Sequence, residues 1–495
     1  MSDTTTVHVP DTDDERTAAS GLELQDRGYR PLTAAAVGAG AGLAGGLAFG
    51  AVMVSIGFLP TVAAIVRAGS PVVGFIVHLA IAAVIGAGFG ILVARQRIES
   101  GELLFWGLIY GAVWWLAGPL TILPLLLGDP VRWTIADAQD LLPSLVGHLL
   151  YGAVTAAVFA VTARRINGAR RGTVEFRTVV SAVAAGMIAG ALLALAFPSM
   201  RDAGYASVVV GSFAGAGYAL LFGVRREGTG PALIRGVVYG FLWWVTAGLT
   251  LSSLQEGTGL DWSAAAAREA VPTLPGYLLL GAGTAAVLGV IDGIVRRTLS
   301  DDVRVAQADR LAGGSIVPVL HGVLAGLAGG VVFTGVMVAV GFLPRVAALV
   351  ASGSVVVGLL VHLVISVFIG ITYAVFFRGR SFDAASGVGW GVSYGFLWWV
   401  LGNLTLLPLL LGSAPDWSAS ALAASFPSLV GHVAYGAVLG IVYQRLEQRV
   451  APWYLTRSRA ARERVLARYE QVLGTAPALW SLIVFIVASI PVFVA

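Results

Sequence analysis

Residues 107–128 read GLIYGAVWWLAGPLTILPLLLG, and residues 391–412 read GVSYGFLWWVLGNLTLLPLLLG; 14 of the 22 positions are identical. Each stretch is apolar for at least the roughly 20 residues a helix needs to cross hydrocarbon. Each also holds a Tyr-Gly-x-x-Trp-Trp run and a proline, Pro124 or Pro408. The offset of 284 residues extends outward without a gap: Gly57-Phe58-Leu59-Pro60 returns as Gly341-Phe342-Leu343-Pro344, His78 as His362 and His148 as His432. A more diverged copy lies between. Its Tyr239-Gly240, Trp243-Trp244, Thr250 and Asp261-Trp262 align with Tyr394-Gly395, Trp398-Trp399, Thr405 and Asp416-Trp417 at an offset of 155. Upstream this copy is nine residues shorter, and the loss falls in the linker between its first two helices. Repetition on this scale sets the architecture, so it is read before any single residue.

Each copy contains four apolar runs, placed in the first at 34–58, 71–94, 103–127 and 142–163. The expected fold is an all-α polytopic membrane protein: three tandem four-helix modules, 34–166, 179–297 (degenerate) and 316–446, giving 12 spans. An even number of helices per module returns the chain to its starting side, so all three share one orientation and can pack around an axis along the membrane normal. The polar, acidic residues 1–33 have no apolar core near the Met; they read as a disordered tail rather than a cleavable signal. Near the C-terminus, 449–475 reads as a basic interfacial helix. Its Arg457, Arg459, Arg462, Arg464 and Arg468 sit among Leu, Val and Tyr and suit contact with anionic lipid over 457–468. A thirteenth apolar helix is expected at 476–495.

Composition agrees: of 495 residues 57% are hydrophobic and 12% charged, against about 45–50% and about 25% in soluble domains. With no cysteine, thiol nucleophiles, thiolate metal sites and disulfides are excluded. The net charge of +4 does not point to nucleic acid, because the arginines lie between apolar runs rather than on one soluble face. They follow topology instead. Loops after even-numbered helices carry 16 Arg and those after odd-numbered helices five, which puts the Arg-rich side and the N-terminus in the cytoplasm. The linkers carrying Trp133, Trp262 and Trp417 are then outside, as short interfacial helices capped by Thr134, Ser263 and Ser418, with the Trp in the headgroup belt.

No Asp, Glu, Lys or Arg is expected near the middle of a span, which disfavours a strongly ion-coupled pump. The ionisable groups within helices are histidines. His78 lies seven residues past Pro71 and His148 five past Pro143, on two helices that run in the same direction, so both stand roughly 8–10 Å below the outer end. His362 and His432 repeat the arrangement, while the middle copy has Ser207 and Tyr277. Opposed imidazoles can hold a neutral solute or quinone, act as a protonation switch, ligate a b-type haem or a metal, or simply tie helices together by hydrogen bonds. Tyr110 and Trp115, with Tyr394 and Trp399, are candidates to line a cavity or stack on a ligand. Gly74 and Gly358, with Gly147 and Gly431, leave room beside the histidines for a ligand or for a neighbouring helix. Gly42, Gly46 and Gly50, like Gly326 and Gly330, form small-residue faces for helix packing. Pro124 and Pro408 are expected to kink their helices and free carbonyls about one turn earlier. Nucleotide-loop and hydrolase patterns are missing, so the reading is non-enzymatic. It is a membrane module that binds or passes a small neutral solute or a proton, with bis-histidine haem b electron transfer and a structural or assembly scaffold as the alternatives.

The series His362-x3-Ser366-x3-Gly370-x2-Tyr373, Trp398-Trp399, Pro408 and Ser428-x2-Gly431-His432 resembles the pattern of the YagU-like family of four-helix inner-membrane proteins. The first copy keeps His78, Gly86, Trp114, Trp115, Pro124, Ser144, Gly147 and His148 but has Ala82 and Phe89 at the Ser and Tyr positions; the middle copy keeps Gly215, Tyr218 and the Trp pair. The resemblance implies three fused units over roughly 34–446 and an inner-membrane location; the family supplies no activity to carry over.

Overall fold

The computed structural model of the protein describes residues 31–93, 100–166, 175–196, 204–223, 228–255, 257, 259–299, 316–381, 383–449 and 482. Among them there is no strand. The first long helices are α1 (Pro31–Ser55), α2 (Pro71–Val93), α3 and α4 (Leu142–Ile166). α3 runs as an α-helix over Ser100–Ala117, a π-helical stretch over Gly118–Ile122 and a last α-turn over Leu123–Leu127. α5 (Phe176–Ala196), α6 (Gly204–Phe222), α7 and α8 (Leu274–Leu299) follow, α7 being Thr229–Trp243, π-helical Trp244–Leu251 and Ser252–Gln255. Last come α9 (Val317–Ala339), α10 (Val355–Phe377), α11 and α12 (Phe426–Arg449), with α11 composed of Ala384–Trp398, π-helical Trp399–Leu406 and Leu407–Leu410. Eleven of the described helical segments are long and apolar enough to cross a membrane, and α6 contributes a shorter apolar stretch, Ser207–Phe222. The chain is a multi-pass helical membrane protein. Residues 1–30, the linker at 197–203, and the basic and terminal segments expected at 449–475 and 476–495 lie outside the described residues, apart from Arg449 and Leu482.

α1 ends earlier than its apolar run. Gly57 takes a left-handed conformation (φ 68°), Phe58 N–H bonds the Met53 carbonyl at 3.0 Å and Gly57 N–H bonds Val54 at 3.3 Å, which together form a Schellman stop. Pro60 then sits in the first turn of a short helix, Leu59–Ala63. Gly341 and Pro344 do the same after α9. The four-residue motif is thus a helix stop followed by a helix start.

Within each group of four, the first helix packs on the second and the fourth, and the fourth packs on the third. The second and third barely meet. The close pairs approach backbone to backbone. A Cβ on Gly86 would fall inside contact distance of the Gly38 carbonyl and the Gly42 Cα, and one on Gly391 would strike the Gly436 carbonyl. Lipid is as apolar as these side chains, so such intimate van der Waals contact is what favours association of helices in a bilayer. Consecutive groups also meet in a repeated way. Gly101 at the start of α3 packs on Phe222 at the end of α6, and Gly230 at the start of α7 packs on Phe377 at the end of α10.

One sequence expectation requires correction. Arg235 was counted with the loop arginines, yet it lies in the first part of α7, 2% exposed, with its Nε donating to Glu102 Oε1 at the start of α3 at 2.8 Å; neither charge falls near the middle of a span. Each charge is tolerated in the packing because the other faces it, a relation between two copies that neither one's sequence displays. The third helices show a feature beyond the proline kinks expected of them. The wide π turns occur in all three, including α7, which has Ser253 where the others have proline, so a proline is not their common cause. A threonine is common to them: Thr121, Thr250 and Thr405 donate their hydroxyls to the carbonyls of Leu116, Val245 and Val400, at 2.7, 2.7 and 2.8 Å. Each hydroxyl thereby pairs a carbonyl five residues back, the spacing of a π turn.

The short linker helices Ile135–Asp140, Ala264–Ala270 and Ala419–Ala424 are present, and Thr134, Ser263 and Ser418 accept the amides of Asp137, Ala266 and Ala421 as N-caps. Trp133 is exposed, but Trp262 and Trp417 are buried rather than belt residues. Trp133 and Trp262 donate to Thr121 and Thr250, and Trp417 donates to the Leu404 carbonyl. The linkers are therefore latched onto the π-helical stretches.

Candidate functional site

Because α2 and α3 diverge, a cavity opens between them, floored by α1 and α4; α9 to α12 build a second. Their volumes are about 250 and about 270 Å³ respectively. Each of the 18 residues lining the first has its partner, 284 positions on, lining the second, and 14 of the 18 are identical. The linings are almost wholly apolar and contain no Asp, Glu, Lys or Arg.

His78, His148, His362 and His432 all line these cavities, whereas His321, near the start of α9, stands 2.9 Å from Glu447 of α12. In the first, His78 Nε2 stands 2.9 Å from the Gly46 carbonyl of α1, and His148 Nδ1 stands 2.7 Å from the Ser144 carbonyl of its own helix. A carbonyl only accepts, so each of these ring nitrogens donates. In a neutral imidazole the second nitrogen is then an acceptor: Nδ1 of His78 and Nε2 of His148. His362 and His432 repeat the scheme with Gly330 and Ser428, at 3.0 and 2.8 Å. The Ser144 and Ser428 hydroxyls lie 3.4 and 3.3 Å from the same Nδ1 atoms.

The two imidazoles of a pair are brought together by a phenyl ring. Phe49 contacts His78 and His148 with ring centroids 5.3 and 4.6 Å apart, and Phe333 contacts His362 and His432 at 5.4 and 4.7 Å. Gly147 and Gly431 exist for these rings, since a Cβ there would collide with Phe49 or Phe333. Likewise Gly74 and Gly358 admit the carbonyls of Leu59 and Leu343, so all four glycines serve packing. Tyr151 and Tyr435 close the floor by donating to the Ala82 and Ser366 carbonyls at 2.7 and 2.8 Å.

The aromatic candidates sort differently from expectation. Trp114 and Trp398 line the cavities; Trp115, Trp399, Tyr110 and Tyr394 do not. Trp115 is buried on the other side of α3 and donates to the Leu141 carbonyl at 3.0 Å, and Trp399 is buried likewise. Tyr110 donates to the Ile85 carbonyl of α2 at 2.8 Å, and Tyr394 pairs with Thr372 of α10 at 2.7 Å. These tyrosines tie the second and third helices together beyond the cavity. Neighbouring residues on a helix differ by about 100° in direction, and apolar spans offer no polar face from which to read rotation. Identity between copies at Phe49/Phe333 and Tyr151/Tyr435 was the available signal for the two missed pairs.

In the middle copy, Gly248 stands where α11 has Asn403, and Tyr277 where α12 has His432. A Cβ on Gly248 would lie 3.1 Å from the Tyr277 ring, so the phenol fills space beside that backbone. Among the described residues no cluster of three or more His, Asp or Glu is arranged to hold a metal ion.

The chain matches no protein-family model, no curated protein and no solved structure.

Proposed function

We propose that this is a non-enzymatic inner-membrane protein of three tandem four-helix modules, N-terminus cytoplasmic, whose first and third modules each bind or pass a small neutral molecule. The observation that carries the reading is the pair of cavities lined at equivalent positions, with a histidine couple in each. An uncharged lining rejects ions, because nothing in it replaces their hydration. One imidazole nitrogen on each ring remains to orient a solute by a hydrogen bond. Of the residues that carry the resemblance to the YagU-like family, His362, Ser366, Trp398, Ser428 and His432 fall on one cavity lining, whereas Gly370, Tyr373, Trp399, Pro408 and Gly431 do not; the shared five add to this reading.

A neutral-molecule site accounts for the geometry better than a pair of b-haems. Bis-imidazole ligation needs a nitrogen of each ring to converge on one iron. Here Nε2 of His78 and of His362 is donated to a glycine carbonyl, and a phenyl ring lies against both imidazoles.

Trichloroethanol, a small neutral alcohol that quenches indole fluorescence, tests the proposal in nanodiscs. Saturable quenching is expected, removed by Trp114→Phe with Trp398→Phe and weakened by His148→Ala with His432→Ala. Quenching that stays linear in concentration and equal in all variants would overturn it.

A further inference from the structure

The two cavities differ at four of their matched positions, and two of the differences change chemistry: Ala82 and Pro119 of the first are Ser366 and Asn403 in the other. Asn403 sits in the π-helical stretch Trp399–Leu406. It precedes Leu410, the end of α11, by as many residues as His362 follows Val355, the start of α10; His432 follows Phe426 by one fewer. At ~1.5 Å per residue the three side chains therefore stand at one depth, roughly 10 Å below the end that bears the linkers. The Asn403 carboxamide has no hydrogen-bond partner among the described residues. A carboxamide offers two donors and an acceptor, and hydrocarbon satisfies none of them. Across the same cavity the Nδ1 of His432 is held by the Ser428 carbonyl, which leaves Nε2 as the accepting nitrogen of the ring.

The opening of this cavity also differs. Where the first has the aliphatic Val84, the second has Phe368, 55% exposed, with its ring edge-on to Trp398 at 6.1 Å between centroids. The gap between α10 and α11 is bridged on one side by the Tyr394–Thr372 bond and narrowed on the other by the Phe368–Trp398 contact, with the half-exposed Phe368 ring at the edge of the apolar slot.

Building on the binding role proposed above, we infer that the α9–α12 cavity is the head-selective site. It takes a neutral amphiphile from the bilayer, with the hydrocarbon body in the slot and a hydroxyl or carbonyl head held between Asn403 and His432. The α1–α4 cavity, with Pro119 at the corresponding position, accepts hydrocarbon bodies with little regard to the head.

The test is photolabelling in proteoliposomes with a diazirine-bearing long-chain alcohol and the matched diazirine alkane, the labelled sites being mapped by mass spectrometry. The alcohol is expected to favour residues 398–410 and 428–435 over 114–126 and 144–151 by roughly five- to tenfold, the factor one added hydrogen bond supplies. The alkane should label both cavities equally. Asn403→Leu should abolish the preference, and Pro119→Asn should create it in the first cavity, which guards against a fold defect in the first variant. Equal alcohol labelling of both cavities, unmoved by either substitution, overturns head selectivity while leaving the binding role standing. Labelling of neither cavity above lipid-facing helix surfaces overturns both.

Discussion

Replacing Glu102 with Gln leaves the Arg235 guanidinium, 2% exposed, without the carboxylate that faces it at 2.8 Å. At that distance and an effective dielectric near 20 the pair attracts by about 6 kcal/mol. Broken buried pairs cost about 3–5 kcal/mol, because the surviving charge has no solvent to return to. Arg235→Met should cost a similar amount and also forfeit the placement of the guanidinium over Phe222, 5.6 Å from the ring centroid. The double variant Glu102→Met with Arg235→Met removes both desolvated charges, and its stability should return to within about 1 kcal/mol of the original chain. The coupling between the two positions is then several kcal/mol, well above the additive limit for independent sites. Equilibrium unfolding in mixed micelles with increasing SDS reads all three variants. Single variants within about 0.5 kcal/mol of the parent, the range of ordinary surface substitutions, would refute the reasoning. So would a double variant as unstable as the sum of the singles, since the pair would then be two independent contacts.

Gly86→Ala places a methyl against the backbone of α1 at Gly38 and Gly42, which cannot yield as a side chain would; a loss of about 1–3 kcal/mol is expected in the same unfolding assay. Gly40→Ala is its control, meeting nothing within 4 Å, and should be neutral or add up to about 1 kcal/mol through helix propensity. Asp137, in the linker helix outside the spans, is held below the usual carboxylate range first by the Thr134 hydroxyl and then by Arg132. A lowered folded-state value means that its support of the cap is complete above the ordinary Asp range and lost only as pH falls through the lowered value. Hydrogen exchange at residues 134–138 should therefore stay protected through mildly acidic pH and rise below it, a pH response that Asp137→Asn removes.

The apolar runs, the linker N-caps and the shared depth of the histidines were legible because each depends on residues near in sequence. The run lengths mark the spans, and the serine or threonine before a short helix marks its start. The helix boundary at Ser55 was misplaced because Gly57-Phe58-Leu59-Pro60 is itself apolar, so hydropathy runs through a stop that only backbone conformation makes. The Glu102–Arg235 pair was hidden for another reason: it joins helices from different copies, and nothing equivalent recurs, Pro231 and Ser386 standing where α3 has Glu102. The choice between Trp114 and Trp115 turns on helix rotation, which a uniformly apolar span does not encode. The histidines themselves were found, but the ring that unites each pair, Phe49 or Phe333, carries no polar signal that sets it apart from the rest of an apolar span.

The backbone contact of α1 with α2 and of α3 with α4 makes each pair a stiff plate; α1 against α4 joins the plates along one edge, and Tyr110 to Ile85 bridges the other edge on the side away from the histidines. For the guest proposed above, such an assembly would act as a spring clip rather than a socket: jaws spreading about the α1–α4 seam would tolerate the length and branching of a tail, while the imidazoles at their fixed depth would be strict toward its head.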